Sequence, residues 1–422
     1  MKYSPYAGTS TSAMIDHNAS DSASPPALTP SDLLGFDPYD DAFLRDPYSS
    51  YRKLRRPFHR TRGGLVVATS HELCSAILRD PRFGHGPTPP SGPDEPVRSF
   101  LMMDPPDHTR MRGLVSRAFT PGMVRRLRPR IETITAELVA ALPDEADLVR
   151  DFAYPLPVMV ISEMLGVPPE DHERFRGWSE TVARSLDPIV TDELAERNQR
   201  DRREFHAYFR DLIALRRRAP ADDLLSALVQ VEELTERELL ATCVLLLVAG
   251  HETTVNLIAN GVLALVRHGV LSEAAHRPRE VVEEVLRYDP PVQLTARTAL
   301  RDAELDGVAV PAGTMTMALV GAANRDPGVF PDPDVFDVGR APGRHLAFGL
   351  GVHFCLGAPL ARLEGEVALA ALARAAPGLE LADPDPPYKG NLVLRGLARL
   401  PVRLNRGRGG AAPAPGAVSG SV

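Results

Sequence analysis

Phe348-Gly349-Leu350-Gly351-Val352-His353-Phe354-Cys355-Leu356-Gly357 is the stretch that decides the fold. It places one thiol between glycines at the mouth of a helix predicted to begin near Ala358-Pro359. A helix N-terminus offers free N–H donors and partial positive charge, which stabilise an anion. Cys355 is therefore expected to have a depressed pKa and to exist as thiolate. Gly351 and Gly357 are read as turn residues that let a flat group approach the backbone. A single thiolate presented this way, with no second cysteine nearby, suits an axial ligand to haem iron. The bland alternative is a buried structural cysteine in a Gly-rich turn.

Outward from the loop, bulk properties narrow the class. The chain has 422 residues, 44% hydrophobic and 24% charged, as in soluble globular proteins. Cys74, Cys243 and Cys355 lie far apart, so no disulfide framework is expected and a reducing cytoplasm fits. No apolar run approaches the roughly 18 residues needed to span a bilayer. The N-terminus lacks a basic-then-apolar signal pattern. A membrane anchor is not expected, and a net charge of -7 gives no reason to expect nucleic-acid binding. Residues 1–30 and 405–422 are rich in small residues and Pro and read as disordered tails. Residues 31–404 read as a single domain, with no linker-like break and no fixed-period repeat.

Strand signals are short. They are Leu65-Val66-Val67, Val308-Ala309-Val310 after the Asp306-Gly307 turn pair, and Thr314 to Val320. Residues 105 to 290 read as mostly helical. A capping box at Thr235-Glu236-Arg237-Glu238 opens a proline-free apolar stretch to about Val266. That is a helix of roughly 30 residues, about 45 Å long. It is apolar all round near Leu245 to Val248, so burial is expected there. The layout is mainly α with small β-sheets.

In its Phe-x-x-Gly-x-His-x-Cys-x-Gly spacing the loop resembles the haem loop of the cytochrome P-450 family. The resemblance spans about residues 35 to 405. It implies that family's fold, with haem b between the long helix and the Cys355 loop. Phe348, Gly351, His353 and Gly357 belong to the cofactor-binding set by this match.

Three further constellations follow the family's order. Ala249-Gly250-His251-Glu252-Thr253-Thr254 is poor material for the middle of a buried helix. Thr hydroxyls can bond the preceding turn and bend the helix, and local widening often marks function. Read from the residues alone, a locally satisfied polar turn is as good an account. The resemblance implies that Thr253 hydrogen-bonds dioxygen held at the haem and that Glu252 relays protons. It also implies that Ala249 and Gly250 leave dioxygen room. A zinc-protease reading of His251-Glu252 fails, because Val255 stands where the second histidine is needed.

Glu284-Val285-Leu286-Arg287 puts an acid and a base on one helix face. Most such pairs are surface pairs worth little. The match implies instead a buried Glu284–Arg287–Arg340 network that holds the Cys355 loop. For the haem propionates it implies His108, Arg112, Arg297 and His345, with His353 beside them. For the substrate pocket it implies Gly84 to Met103, Thr181 to Asp192, Leu245, Val248, Ala249, Val292, Leu294, Thr295, Leu392 and Val393. These are mostly apolar or small and suit a large apolar ligand.

Arg125, Arg126, Arg128 and Arg130 read either as a solvated helix face or as a docking patch for an acidic electron carrier. No flavin- or nicotinamide-binding segment is visible. The resemblance implies a monomeric bacterial monooxygenase. Electrons would pass from NAD(P)H through a ferredoxin reductase and ferredoxin. One atom of dioxygen would enter a C–H or C=C bond, and the nearest likeness is to actinomycete members that tailor macrolides and other polyketides. A peroxide-driven haem-thiolate peroxygenase and a non-catalytic haem sensor or carrier remain as alternatives.

Overall fold

Thr235 starts the longest helix, Glu236–Arg267, of 32 residues. Its hydroxyl accepts the Glu238 N–H while the Glu238 carboxylate accepts the Thr235 N–H, which completes the capping box. The helix packs against Pro155–Met164, His172–Arg184, Asp192–Arg218, Pro278–Tyr288 and Ala358–Ala375. By length and composition it could cross a membrane, but 76% of its most apolar window is buried inside the protein. The computed structural model describes residues 30–54, 58–86, 99–184, 191–341 and 343–406.

Two expectations for this helix change. The widening expected at Ala249 to Thr254 is absent, and the segment is α-helical throughout. The reason is local satisfaction. The Thr253 hydroxyl donates to the Ala249 carbonyl at 2.9 Å and the Thr254 hydroxyl to the Gly250 carbonyl at 3.2 Å. Burial near Leu245 to Val248 is also incomplete: Leu247 is buried, but Leu245 and Leu246 are partly exposed and Ala249 is exposed. The side chain of Val248 lies outside the described residues.

The small sheets hold the helices at one side. One has five strands in the order Phe58–Arg60, Val66–Ala68, Met315–Ala318, Thr295–Ala299, Phe83–Gly84. Ala303–Leu305 and Val308–Val310 form a hairpin whose turn residues Asp306 and Gly307 have φ of 49° and 75°. A third sheet adds a strand to the mostly helical stretch of residues 105 to 290. Glu145–Asp147 is a strand, paired antiparallel with Pro401–Arg403. Its partner is some 250 residues away, so no local pattern announces it. The expected tails fall almost wholly outside the described residues, but the C-terminal boundary moves. Asn405 donates to the Gly378 carbonyl, and Arg406 to the Val139 and Leu142 carbonyls.

The Glu284–Arg287–Arg340 network is assembled as expected. Arg287 and Glu284 are 2% and 4% exposed, so this pair is no surface pair. Arg287 meets the carboxylate at 2.8 and 2.7 Å and spends its remaining N–H donors on the carbonyls of Asn324, Pro333 and Val335. Arg340 Nε approaches Glu284 Oε1 at 3.4 Å, and the Asp337 N–H donates to the same oxygen. Removing one partner of a buried pair leaves an uncompensated charge, costing about 3–5 kcal/mol. Glu284→Ala is therefore expected to lower the urea midpoint sharply or prevent folding. Glu233→Ala, which removes an acid 57% exposed and paired with Arg117, should leave the midpoint almost unchanged.

Candidate active site

The Cys355 N–H donates to the Phe348 carbonyl at 2.9 Å and closes the loop. Gly351 has φ 69°, and a Cβ there would collide with the Leu78 carbonyl, so only glycine fits. Gly357 differs from expectation: its φ is -80°, which any residue adopts. What a side chain at 357 would meet is the Cys355 sulfur, at 3.9 Å.

The expected acidity of Cys355 is also corrected. Burial pushes its thiol up. The Gly357 N–H, Arg112, the Ala358 N–H and Arg362 all pull it down without winning. A coordinated metal ion changes that balance, because it deprotonates a thiol outright. Cys74 and Cys243 are fully buried, and burial drives both far up, with Asp326 adding to the effect at Cys74. Cys355 is the partly exposed one of the three.

Beside the loop lies a cluster of basic side chains. The His108 and His353 rings are 4.2 Å apart and the His85 and His353 rings 5.0 Å apart. Arg112 donates to the Phe354 carbonyl at 2.5 Å. Arg297 is 7% exposed, and it donates to the Thr295 hydroxyl and the Ala296 carbonyl rather than to a carboxylate. Burial lowers Arg297 to about 10. Burial, then Arg297, His85, His108 and Arg112, drive His353 down to about 2. Both ring nitrogens of His108 are buried without a hydrogen-bond partner. The nearest acid, Asp104, is occupied by the His85 and Gly86 N–H groups. Such a cluster calls for a polyanion, and two carboxylates of a propionate-bearing group fit it.

His345 stands apart from this set. Its Nε2 meets the Glu283 carboxylate at 3.2 Å and its Nδ1 accepts the Ala347 N–H. Both nitrogens are engaged, so the expected propionate contact is not available to it. Phe348 underlies the loop, with the Arg362 guanidinium 4.5 Å from its ring.

On the long helix, Leu245, Ala249 and Thr253 repeat at i, i+4, i+8 and form one open face. Gly250 points elsewhere: a Cβ there would sit in ordinary contact with Ile161, at 3.4 Å, so the packing there does not require glycine. Glu252 is 6% exposed and ion-paired to Lys389 at 2.6 Å, with the His251 ring at 3.6 Å. Thr254 shares a hydrogen bond with Glu364, a carboxyl 1% exposed.

The expected pocket wall divides. Val292 and Val393 are partly exposed and pack with Val182, Val244 and Leu394. Thr295 is partly exposed as well. Leu294 and Leu392 are instead buried against Leu34, Phe36 and Phe43 in a separate apolar cluster. Competition with the N-terminal segment for the same leucines is invisible to a motif. Parts of two expected wall segments, residues 87–98 and 185–190, lie outside the described residues.

The comparisons with known proteins agree with this geometry. The "Cytochrome P450" family model matches residues 62–277 and 279–375. The chain belongs to the cytochrome P450 family. It is 42% identical to the cytochrome P450 monooxygenase PikC of Streptomyces venezuelae, over 92% of this chain and 96% of PikC. It is 44% identical to mycinamicin IV hydroxylase/epoxidase of Micromonospora griseorubida, over 80% of this chain and 88% of that protein. The solved structure of the bacillaene polyketide synthase cytochrome P450 PksS of Bacillus subtilis superposes with a TM-score of 0.80 at 39% identity, covering 87% of this chain and 99% of that one. This P450 is a monooxygenase, and its cofactor is haem b with a cysteine thiolate ligand, set in this fold between the long helix and the Cys355 loop.

Sequence reasoning gave no site role to Lys389, Asp104, Glu283 and Glu364, and placed His85 only within the pocket-wall segment Gly84 to Met103. Each is a lone residue outside a motif, and each acquires a role only from a partner distant in sequence. Glu364 yields a pH test. Burial pushes its carboxyl from an ordinary 4.5 up to about 8, although the Thr254 contact lowers it. A raised folded pKa contributes stability below about 4.5 that is lost as pH rises through about 8. Glu364→Gln should therefore melt higher than wild type at pH 8.5, with the advantage vanishing near pH 5 in calorimetric scans.

Proposed function

We propose that this P450 hydroxylates or epoxidises a large, mainly apolar natural product, a macrolide or related polyketide made in secondary metabolism. The observation that carries the catalytic part is the cluster of His108, Arg112, Arg297 and His353, without a free acid, beside the loop of Cys355. The names of the mycinamicin and bacillaene relatives support the substrate class. So does the wall of Val182, Val244, Val292, Val393 and Leu394, which offers apolar contact and few hydrogen bonds.

Cys355 is the axial ligand in this reading, and the guanidiniums of Arg112 and Arg297 with the imidazoles of His108 and His353 hold the propionates. Bound haem supplies the activation of dioxygen, with one oxygen atom entering the substrate and the other leaving as water. The chain supplies position and protons. Glu284, Arg287 and Arg340 fix the segment before the loop. The exposed Ala249 keeps the distal face open. The Thr253 hydroxyl, held on the Ala249 carbonyl at rest, is the last donor on that face once it rotates. Glu252 stands behind it. Lys389, 29% exposed, bonds Glu252 Oε1 and bridges that buried acid to solvent.

Electrons enter from the Cys355 side. Arg128 is paired with Glu132 and Glu366, and Arg130 with Glu163. That leaves Arg125 and Arg126 exposed, without an ion-pair partner among the described residues, as the docking charge for an acidic ferredoxin. The same reading places a monomer in the cytoplasm, with a ferredoxin reductase drawing on NAD(P)H. The Glu252–Lys389 pair behind Thr253, which links the site to solvent, favours this reading over a peroxygenase, whose peroxide brings its own protons, or a haem sensor, which turns nothing over.

Two experiments test it. Cys355→Ser should abolish the thiolate band of the reduced carbon monoxide complex, while Cys74→Ser and Cys243→Ser keep it. A surviving band in Cys355→Ser removes the ligand assignment. Thr253→Ala should bind a macrolide with unchanged affinity in spin-state titration, yet divert reducing equivalents to hydrogen peroxide. Unchanged coupling of product to carrier oxidised returns Thr253 to a purely structural role. Absence of any spin shift with macrolides, alongside shifts with other compounds, overturns the substrate class.

A further inference from the structure

Two guanidinium groups flank the Cys355 loop, and they differ in one respect. Arg112 reaches it through the Phe354 carbonyl and has no carboxylate partner among the described residues. Arg362 lies over the Phe348 ring at 4.5 Å, and the Phe348 carbonyl is the acceptor for the Cys355 N–H. Arg362 alone of the two carries a matched acid. Glu283 takes it in two bonds, Nε at 2.5 Å and Nη2 at 3.1 Å, and also meets His345 at 3.2 Å.

We propose that Glu283 is a positioning residue for the proximal side of the site: it fixes Arg362 on Phe348, offsets its charge, and thereby sets the reduction potential of the bound haem. The chain of contact runs Glu283, Arg362, Phe348, Cys355. Adding an electron at a thiolate-bound haem adds negative charge beside the sulfur. A nearby cation favours the reduced form, and an acid that neutralises the cation favours the oxidised form. Glu283 itself is held down to about 2, burial being outweighed by its bonds to His345 and Arg362. The acid thus stays charged over the working pH range. Arg362 and Glu283 are 31% and 36% exposed, so added salt should weaken their field.

The inference rests on Cys355 being the haem ligand. Its test is a spectroelectrochemical titration of haem-loaded Glu283→Gln and Arg362→Met. Glu283→Gln keeps the shape and deletes the charge, and its midpoint should rise above wild type. Arg362→Met should lower it. Both differences should shrink at high salt, while the thiolate band of the carbon monoxide complex stays in place. A purely structural role predicts lower melting temperatures for both variants with no opposed displacement of the midpoint. Midpoints that do not move, or that move in the same direction, overturn the proposal. Should Glu283→Gln fail to retain haem, Arg362→Met decides alone, and a midpoint at or above wild type sinks the idea. Failure of the ligand assignment is separate, because it appears as a missing thiolate band in the wild-type protein.

Discussion

The buried pair of Glu284 and Arg287 is the constraint on which the rest depends. An acid and a base nearly free of solvent tolerate each other only when every donor is used, and Arg287 uses all of its own. Its carbonyl acceptors at Asn324, Pro333 and Val335 come from irregular backbone with no ladder of its own. The ion pair therefore organises a stretch that neither helix nor sheet would hold. Asn324 passes the order on, accepting the Leu346 N–H through its side chain. Leu346 stands two residues before Phe348, where the Cys355 loop begins. A charge pair of little net worth in itself becomes the anchor of the cofactor side.

The site is built from groups that the fold alone would reject. His108 has two buried nitrogens with nothing to bond, Arg297 is a buried cation with neutral partners, and Cys355 is a thiol made less acidic by its surroundings. Each is a local cost, and each is relieved by the same kind of guest, a metal ion for the sulfur and carboxylates for the cations. Haem b answers all three at once. The distal side follows the opposite rule. Thr253, Thr254 and Glu252 all have partners at rest, so that side is stable before it acts.

Motifs proved legible where chemistry is compressed into a few adjacent residues. The Cys355 loop, the Glu284–Arg287 pair with Arg340, and the capped long helix could all be read directly, because spacing and residue type leave few other meanings. The hairpin at Asp306-Gly307 was legible for the same reason. What escaped was long-range. Nothing near Glu145 foretells a strand whose partner is Pro401–Arg403. Nothing in Leu294 or Leu392 tells that the N-terminal segment would claim them. His345 carried the right chemistry at the right distance from Cys355, yet Glu283 reached it first. The helix N-terminus that favours a Cys355 thiolate is visible in sequence, whereas the burial that opposes it until a metal is bound is not.

The pairing of Glu145–Asp147 with Pro401–Arg403 has a consequence for how the molecule is made. A ribosome adding about 5–20 residues per second leaves the first strand waiting roughly 12–50 s for its partner. The turn bearing Val393 and Leu394, one wall of the pocket, emerges in the same final interval. Most of the helical body is thus available to collapse while this flank is still unsynthesised. The strand at Glu145–Asp147 stays unpaired until the last part of the fold is made, after Cys355 and the helix Ala358–Ala375 have been added.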